Sequence, residues 1–236
     1  ALYLTPVLHD IPKATLAATI IVAALSLVDI KAPLRVWRIS RADGFAMAAT
    51  IFGALFLSIE TGLVAGLVSA LALHLKRTAA PHAAIVGQAP GTEHFRNVDR
   101  HKVATSPLVL SLRVDESLYF ANSRYLEDMV ARLVAERPAL RHVVLLCSAV
   151  NHIDASGIRS LEEINRRLDG AGLSFHLSEV KGPVMDRLVR AGFLDILTGR
   201  VFLTQFGAMS MLDPDLARAT LAAAPEPVFE DERKGA

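Results

Sequence analysis

The stretch HVVLLCSAVNHIDASGIRSLEEINRRL, His142 to Leu168, decides the fold. Val143 to Cys147 is an unbroken apolar, largely β-branched run, the pattern of a strand buried on both faces. Ile158, Leu161, Ile164 and Leu168 then recur at helical spacing, with charges on the other side. Asn151 to Gly157 is the polar turn between them. A strand feeding a helix through such a turn is half of a βα unit, and these turns often carry the chemistry. Glu162/Arg166 and Glu163/Arg167 are four-apart pairs on the solvated face of the helix.

The residues around this stretch continue the pattern. Leu108 to Val114 reads as a strand, and Glu116 to Ala121 as a second, short one. Asn122 or Ser123 caps a helix with Leu126, Met129, Val130, Leu133 and Val134 on its apolar side, and Pro138 ends it. Gly170 and Gly172 close the central helix. Ser174 to Val180 is another strand, and Pro183 opens a short helix that stops at Gly192. Val201 to Leu203 reads as an edge strand, and Thr204 caps a last helix using Phe206, Met209, Met211 and Leu212. This alternation predicts an open α/β sheet with helices packed on it. The closing PEPVFEDERKGA is charged and Pro-containing and is expected to be disordered.

Composition narrows the class. The chain has 236 residues, 52 % of them hydrophobic, and a formal charge of +1; its mean hydropathy is +0.38. With no dominant basic run, and ten Phe, three Tyr and one Trp for stacking, nucleic acid is excluded as a partner. Cys147 is the single cysteine, so there is no intrachain disulfide or cysteine metal site, and its apolar strand makes it an inert core residue. His74, His82, His94 and His101 lie in or beside the stretch from Thr78 to Pro107, at spacings that match no metal motif. No metal or cofactor is expected. That stretch, rich in His, Pro, Gly and Arg, reads as a connector holding a short strand at Glu93 to Val98. The chain begins at Ala1 with no signal peptide, which reads as the carboxy-terminal part of something longer.

The apolar excess sits in the first 75 residues. Ala14 to Val28 carries no charge and, extended to Ile11 and Ile30, is long enough to cross a bilayer. Lys31, Arg35, Arg38 and Arg41 follow, with Trp37 among them, as a basic and aromatic interfacial segment. Phe45 to Leu73 is a second apolar block. As one helix it would measure about 43 Å, too long for a hydrocarbon core of about 30 Å, and would place Glu60 near its middle. A hairpin turning near Ser58 to Gly62, with Glu60 and Gly62 at the turn, removes both problems. It also returns Lys76 and Arg77 to the side that holds Lys31 to Arg41. The arms, roughly 43–57 and 62–76, are short and need tilt or other helices beside them. Gly62, Gly66, Ser69 and Ala70 make a small-residue face for close helix contact.

The strand–NHIDASG–helix unit, preceded by SLRVDESLYFANSRYLEDMV, resembles the STAS domain. That domain occurs in bacterial anti-sigma-factor antagonists and at the carboxy terminus of SulP-family anion transporters. D-I-P-K-A at Asp10 to Ala14, L-R-V-W-R at Leu34 to Arg38 and S-I-E-T-G-L-V-A-G at Ser58 to Gly66 look like the last transmembrane helices of a SulP transporter. Pro90-Gly91-Thr92, Phe95-Arg96-Asn97 and Phe120-Ala121-Asn122 fit the same resemblance, which runs to about Leu212. It implies a secondary carrier of inorganic anions such as sulfate or bicarbonate, or of small dicarboxylates, in the cell membrane. The implied partners are the lipid bilayer, the remaining transmembrane helices and a second copy in a homodimer, with the STAS domain cytoplasmic. The anion site would lie between broken helices outside this chain. The organisation so implied is membrane helices at 1–77, connector at 78–106, STAS domain at 107–215 and charged tail at 216–236.

In the soluble antagonists the serine of the D-x-S-G turn is phosphorylated by a partner kinase, and Ser156 occupies the matching place. A helix N-terminus favours an anion there, and Arg159 lies one turn on. The alternative is that Asp154 caps the helix, Ser156 fills its first turn and Gly157 permits close packing. Asn151, Asp154, Ser156 and Gly157 thus form the candidate regulatory loop, open to a protein partner. A nucleotide phosphate lacks a P-loop or G-x-G-x-x-G to hold it. His152, Asp154 and Ser156 lie too close in sequence to make a catalytic triad, so no enzyme is expected. The rival to the transporter is a soluble phospho-switch that binds an anti-sigma kinase.

Overall fold

The computed structural model of the chain describes residues 13–26, 29 and 31–224, and it divides into two compact units, Ala1–His74 and Leu75–Ala236. Expectations resting on residues 1–12 or 225–236, including the first half of D-I-P-K-A and most of the tail, lie outside the described residues.

The first unit is helical. Helix α1 (Lys13–Ser26) buries none of its residues. The basic segment after it is itself a helix, α2 (Lys31–Ile39), started by Asp29 Oδ1, which accepts from the Lys31 and Ala32 N–H groups at 2.9 and 3.3 Å. Helix α3 (Arg41–Phe56) is capped by Ser40, whose Oγ accepts from Asp43 N. Helix α4 (Ile59–Ala79) begins where Ser58 Oγ accepts from Thr61 N at 3.1 Å.

That cap corrects the expected hairpin. The break falls at Leu57–Ser58, and Glu60 and Gly62 lie inside the first turns of α4 rather than at the turn. Starting earlier and ending later than 62–76, α4 has 21 residues, about 31 Å of helix, enough to span alone. The apolar opening of Lys13–Ile39, ahead of the basic α2, and Ile59–Ala79 are both long and apolar enough to cross a membrane by length and composition.

Gly62 and Gly66 of the small-residue face seal α3 to α4, whereas Ala70, expected in the same face, is exposed. A Cβ on Gly62 would lie 2.7 Å from Thr50 O, and one on Gly53 would lie 2.6 Å from Gly62 Cα. The two backbones therefore touch, and no side chain fits between them. Leu55, Phe56, Leu63, Val64, Leu67 and Val68 remain exposed around this contact. Gly62→Leu should pry α3 from α4 and cost about 1–3 kcal/mol or more, read as a lower melting temperature of the protein in detergent. Ala70→Leu, on the exposed side of α4, should leave that temperature unchanged.

The second unit is a six-stranded mixed sheet in the order β2-β1-β3-β4-β5-β6. Its strands are β1 (Ala83–Gln88), β2 (Phe95–Asn97), β3 (Val109–Val114), β4 (His142–Leu146), β5 (Ser174–Ser178) and β6 (Val201–Phe202). Strands β3 to β6 run parallel to one another, and β1 pairs antiparallel to both β2 and β3. The stretch read as a connector, 78–106, thus supplies two strands. One of them, at Phe95–Asn97, was legible; β1 was not, because A-A-I-V-G-Q is short and flanked by Pro and His. Gln88, fully buried, ties the region together: its Nε2 donates to Thr92 O at 2.9 Å.

The strands alternate as a two-sided sheet requires. Leu110, Leu112, Val143, Leu145, Phe175 and Leu177 face the core under α5 (Ser123–Ala135), α6 (Ala155–Gly170) and α7 (Gly182–Arg190). Helix α8 (Phe193–Ile196) adds the fully buried Phe193. Val86, Val109, Val144 and Leu146 face the opposite core, under α9 (Gln205–Leu212) and α10 (Pro214–Ala222). Helix α10 corrects the predicted tail: residues 214–222 are helical and capped by Asp213, whose Oδ1 accepts from Leu216 N. Residues 116–121 form a turn bridged at Leu118 to Ile153, not a strand, because Asn122 closes them on themselves.

The second face carries buried polar groups. Ser178 Oγ donates to Gln205 Oε1 at 2.5 Å, and Gln205 Nε2 donates to Ser111 Oγ at 2.8 Å. Glu179 has a left-handed backbone, φ 54°, and its Oε1 accepts from Gln205 N at 3.2 Å. His176 Nδ1 accepts from Arg200 N at 3.0 Å, and its ring stands edge-on to His142, with centroids 5.5 Å apart.

Burial, with His142 and Arg200 beside it, lowers the His176 pKa to about 4. The unfolded chain therefore binds this proton first on acidification, and the ring's contribution to stability is full above pH 6.5 and lost as pH falls toward 4. Urea midpoints measured across that window should fall with pH. The fall should be shallower in His176→Asn, which keeps an acceptor near Nδ1.

Candidate functional site

The predicted loop sits beyond the carboxyl end of β4, where parallel α/β sheets gather their functional groups. Cys147 N donates to Ser178 O at 2.9 Å, which carries the chain past the end of β5 before it turns. Ile153, fully buried, anchors the middle of the loop in the core. Its neighbours are held by the 117–122 turn: Leu118 N donates to His152 O at 3.0 Å, and Asp154 N donates to Leu118 O at 3.1 Å.

Asp154 ends the loop with both carboxylate oxygens committed. Oδ1 accepts from Gly157 N at 2.8 Å and caps α6. Oδ2 accepts from Phe120 N at 3.1 Å and fastens the neighbouring turn. Asn122, fully buried, shapes that turn: Oδ1 accepts from Tyr119 N at 3.0 Å, and Nδ2 donates to Ser117 O at 2.8 Å. Asn122 therefore stands at the start of α5 without capping it. Gly157 is required by space, since a Cβ there would meet Leu118 O and Ile153 Cγ1 at 2.8 Å.

Helix α7 straps the loop from the other side. Arg187 Nη1 donates to Ile153 O at 2.6 Å and to His152 Nε2 at 2.7 Å. Because a guanidinium only donates, the His152 Nε2 is the acceptor. Lys181 Nζ donates to Asn151 Oδ1. Asp154, Ser156 and Gly157 thus gather at the start of α6, whereas Asn151 points to α7. Sequence reasoning missed Lys181 and Arg187, and read Asn122 as a helix cap where it shapes the neighbouring turn instead. The first two lie 30 and 34 residues from their partners on the loop, a separation that no local pattern encodes.

Ser156 sits in the first turn of α6, half-buried, and its hydroxyl has no hydrogen-bond partner among the described residues. His152 and Asp154 are bonded elsewhere, to Arg187 and to two backbone N–H groups. Phe120, 72 % exposed, projects beside them.

A mixed sheet with a capped helix after its central strand, carried behind apolar helices, defines a STAS-type domain joined to a membrane segment. Residues 101–205 match the STAS domain family, and residues 1–50 match the sulfate permease family. The chain is 33 % identical over 227 residues to sulfate transporter 1.3 of Arabidopsis thaliana, covering 92 % of this chain and 35 % of that protein. It is 33 % identical over 228 residues to high affinity sulfate transporter 1 of Stylosanthes hamata, covering 92 % and 34 %. Among solved structures, the murine Solute Carrier 26 family member A9 anion transporter superposes with a TM-score of 0.70 at 20 % identity, over 83 % of this chain and 32 % of that one. The chain belongs to the sulfate permease, or SulP, family and fits its carboxy-terminal, STAS-bearing portion. It spans about a third of the length of the curated relatives it matches.

Asp154→Ala removes a helix cap and the tie to Phe120 and should cost about 1–2 kcal/mol. Gly157→Ala should cost about 1–3 kcal/mol through crowding. Both are read as lower urea midpoints of the α/β unit. Arg159→Ala, on the exposed side of α6, should stay within about 0.5 kcal/mol of the parent.

Proposed function

We propose that this chain supplies the last membrane-spanning helices and the cytosolic STAS domain of a multi-pass secondary transporter of inorganic anions, of which sulfate is the first candidate. The observation that carries the reading is the continuity of the two parts. One chain joins spans of bilayer length to a STAS sheet, and relatives named as sulfate transporters align along 92 % of it. Bicarbonate and dicarboxylates belong to the same proposed substrate class.

The anion site is proposed to lie on helices outside this chain, between broken helices whose N-termini face the ligand. The chain's own residues then serve anchoring, assembly as a homodimer, and regulation rather than catalysis. The membrane part is drawn at residues 1–77, and the STAS domain takes in the two strands of the 78–106 stretch.

The regulatory surface is proposed at Asn151 to Gly157, with a protein partner docking beside the exposed Phe120. The unbonded Ser156 hydroxyl at a helix N-terminus supports a phosphorylation site there. A phosphate would gain from the helix dipole and lose from the nearby Asp154 carboxylate. The soluble phospho-switch shares this loop, but it leaves the apolar hairpin without a purpose.

Topology tests the reading directly. Cys147 is buried, and its thiol is pushed up to about 12 by burial, with Glu179 adding to the shift. Introduced cysteines will therefore report without background. Arg41→Cys and Lys76→Cys should both react with an impermeant maleimide from the cytosolic side only. Labelling from opposite sides overturns the hairpin, and recovery of the protein in the soluble fraction overturns the transporter reading.

A further inference from the structure

Helix α2 separates its charges from its apolar residues. At 3.6 residues per turn, Lys31, Arg35 and Arg38 fall within an arc of about 60°. All three are exposed, and among the described residues none has a carboxylate partner. Ala32, Pro33 and Val36 are half-buried on the other side. Trp37 fixes the helix in place: its ring lies on Phe45 with centroids 5.1 Å apart, and a Cβ on Gly44 would meet Trp37 Cδ2 at 3.2 Å. The acids of this region are engaged at helix starts, Asp29 capping α2 and Asp43 in the first turn of α3. Nothing described within the unit neutralises the stripe.

We propose that Lys31, Arg35 and Arg38 bind the headgroup phosphates of anionic phospholipid, making α2 a lipid-selective helix at the bilayer surface. The inference rests on the membrane reading above and adds the class of lipid. Guanidinium groups engage phosphate oxygens through paired N–H donors. Each cation near an anionic surface contributes about a fivefold gain in affinity. A free phosphate has the same chemistry, but a stripe of three exposed side chains has no walls to enclose a small ion. The apolar helices on either side place lipid beside it instead. Tryptophan at such a position sits at headgroup level.

Trp37 is the only tryptophan in the chain, so its fluorescence reports on α2 without a label. The full chain is reconstituted into phosphatidylcholine vesicles in which one-fifth of the lipid is brominated, as either phosphatidylglycerol or phosphatidylcholine. Brominated phosphatidylglycerol should quench Trp37 roughly twofold more strongly than brominated phosphatidylcholine. The variant K31Q/R35Q/R38Q should bring that ratio to one while leaving quenching by phosphatidylcholine unchanged. K76Q/R77Q should keep the preference.

Equal quenching by the two lipids in the parent overturns the proposal and leaves the membrane reading standing. Quenching by neither lipid overturns the membrane reading itself. A preference that survives in the triple variant overturns the assignment to this stripe. Loss of the preference on adding inorganic phosphate at constant ionic strength assigns the stripe to a free anion and overturns the lipid. Should the triple variant not insert, Arg35→Gln alone should lower the ratio part-way, and an unchanged ratio there overturns the proposal.

Discussion

The α/β unit depends on β4 being apolar on both faces. Val143 and Leu145 point into one core, Val144 and Leu146 into the other, and all four are at most 4 % exposed. A strand with no wet side needs cover above and below, so helices must lie on both faces of the sheet. At about 1.5–3 kcal/mol per fully buried aliphatic side chain, these four alone offset the ordering of several residues. The loop at Asn151 to Gly157 gains its rigidity from the same source, because Ile153 is driven into the core that β4 begins.

That loop is held on three sides by contacts of different kinds. Asp154 joins a helix end to a neighbouring turn through two N–H groups, and a carboxylate so engaged is pre-positioned. Arg187 and Lys181 bring positive charge to the opposite side. Ser156 is left as the polar group of the D-x-S-G turn with unspent bonding capacity. The geometry separates Asp154 and Gly157, which build the turn, from the half-buried Ser156 and the exposed Phe120 side chain, which do not.

Sequence patterning read the central strand, its helix, the α5 face and the Thr204 cap, because each rests on periodicity or on a local side-chain bond. Thr204 Oγ1 does accept from Gly207 N, at 2.9 Å. It did not read β1, whose six residues carry a Gly and a buried Gln that only the pairing with β2 and β3 explains. Residues 116–121 misled for the opposite reason: L-Y-F looks like a strand, yet Asn122 bonds back into the segment and bends it. In the hairpin, Glu60 and Gly62 drew attention as turn residues, while Ser58 set the break by capping α4. The Asp154 cap and the close packing at Gly157 were legible within one loop; Lys181 and Arg187 became visible only when the sheet placed α7 beside that loop.

The two outer strands of the sheet are its shortest, β2 with three residues and β6 with two. A sheet edge is a row of unsatisfied donors and acceptors that invites another chain to extend the ladder. Domains tethered to a bilayer are crowded into a plane, where such side-by-side zippering is concentrated. Margins this brief leave another chain little ladder to extend. Surface contacts of another kind are left free to decide which molecules meet.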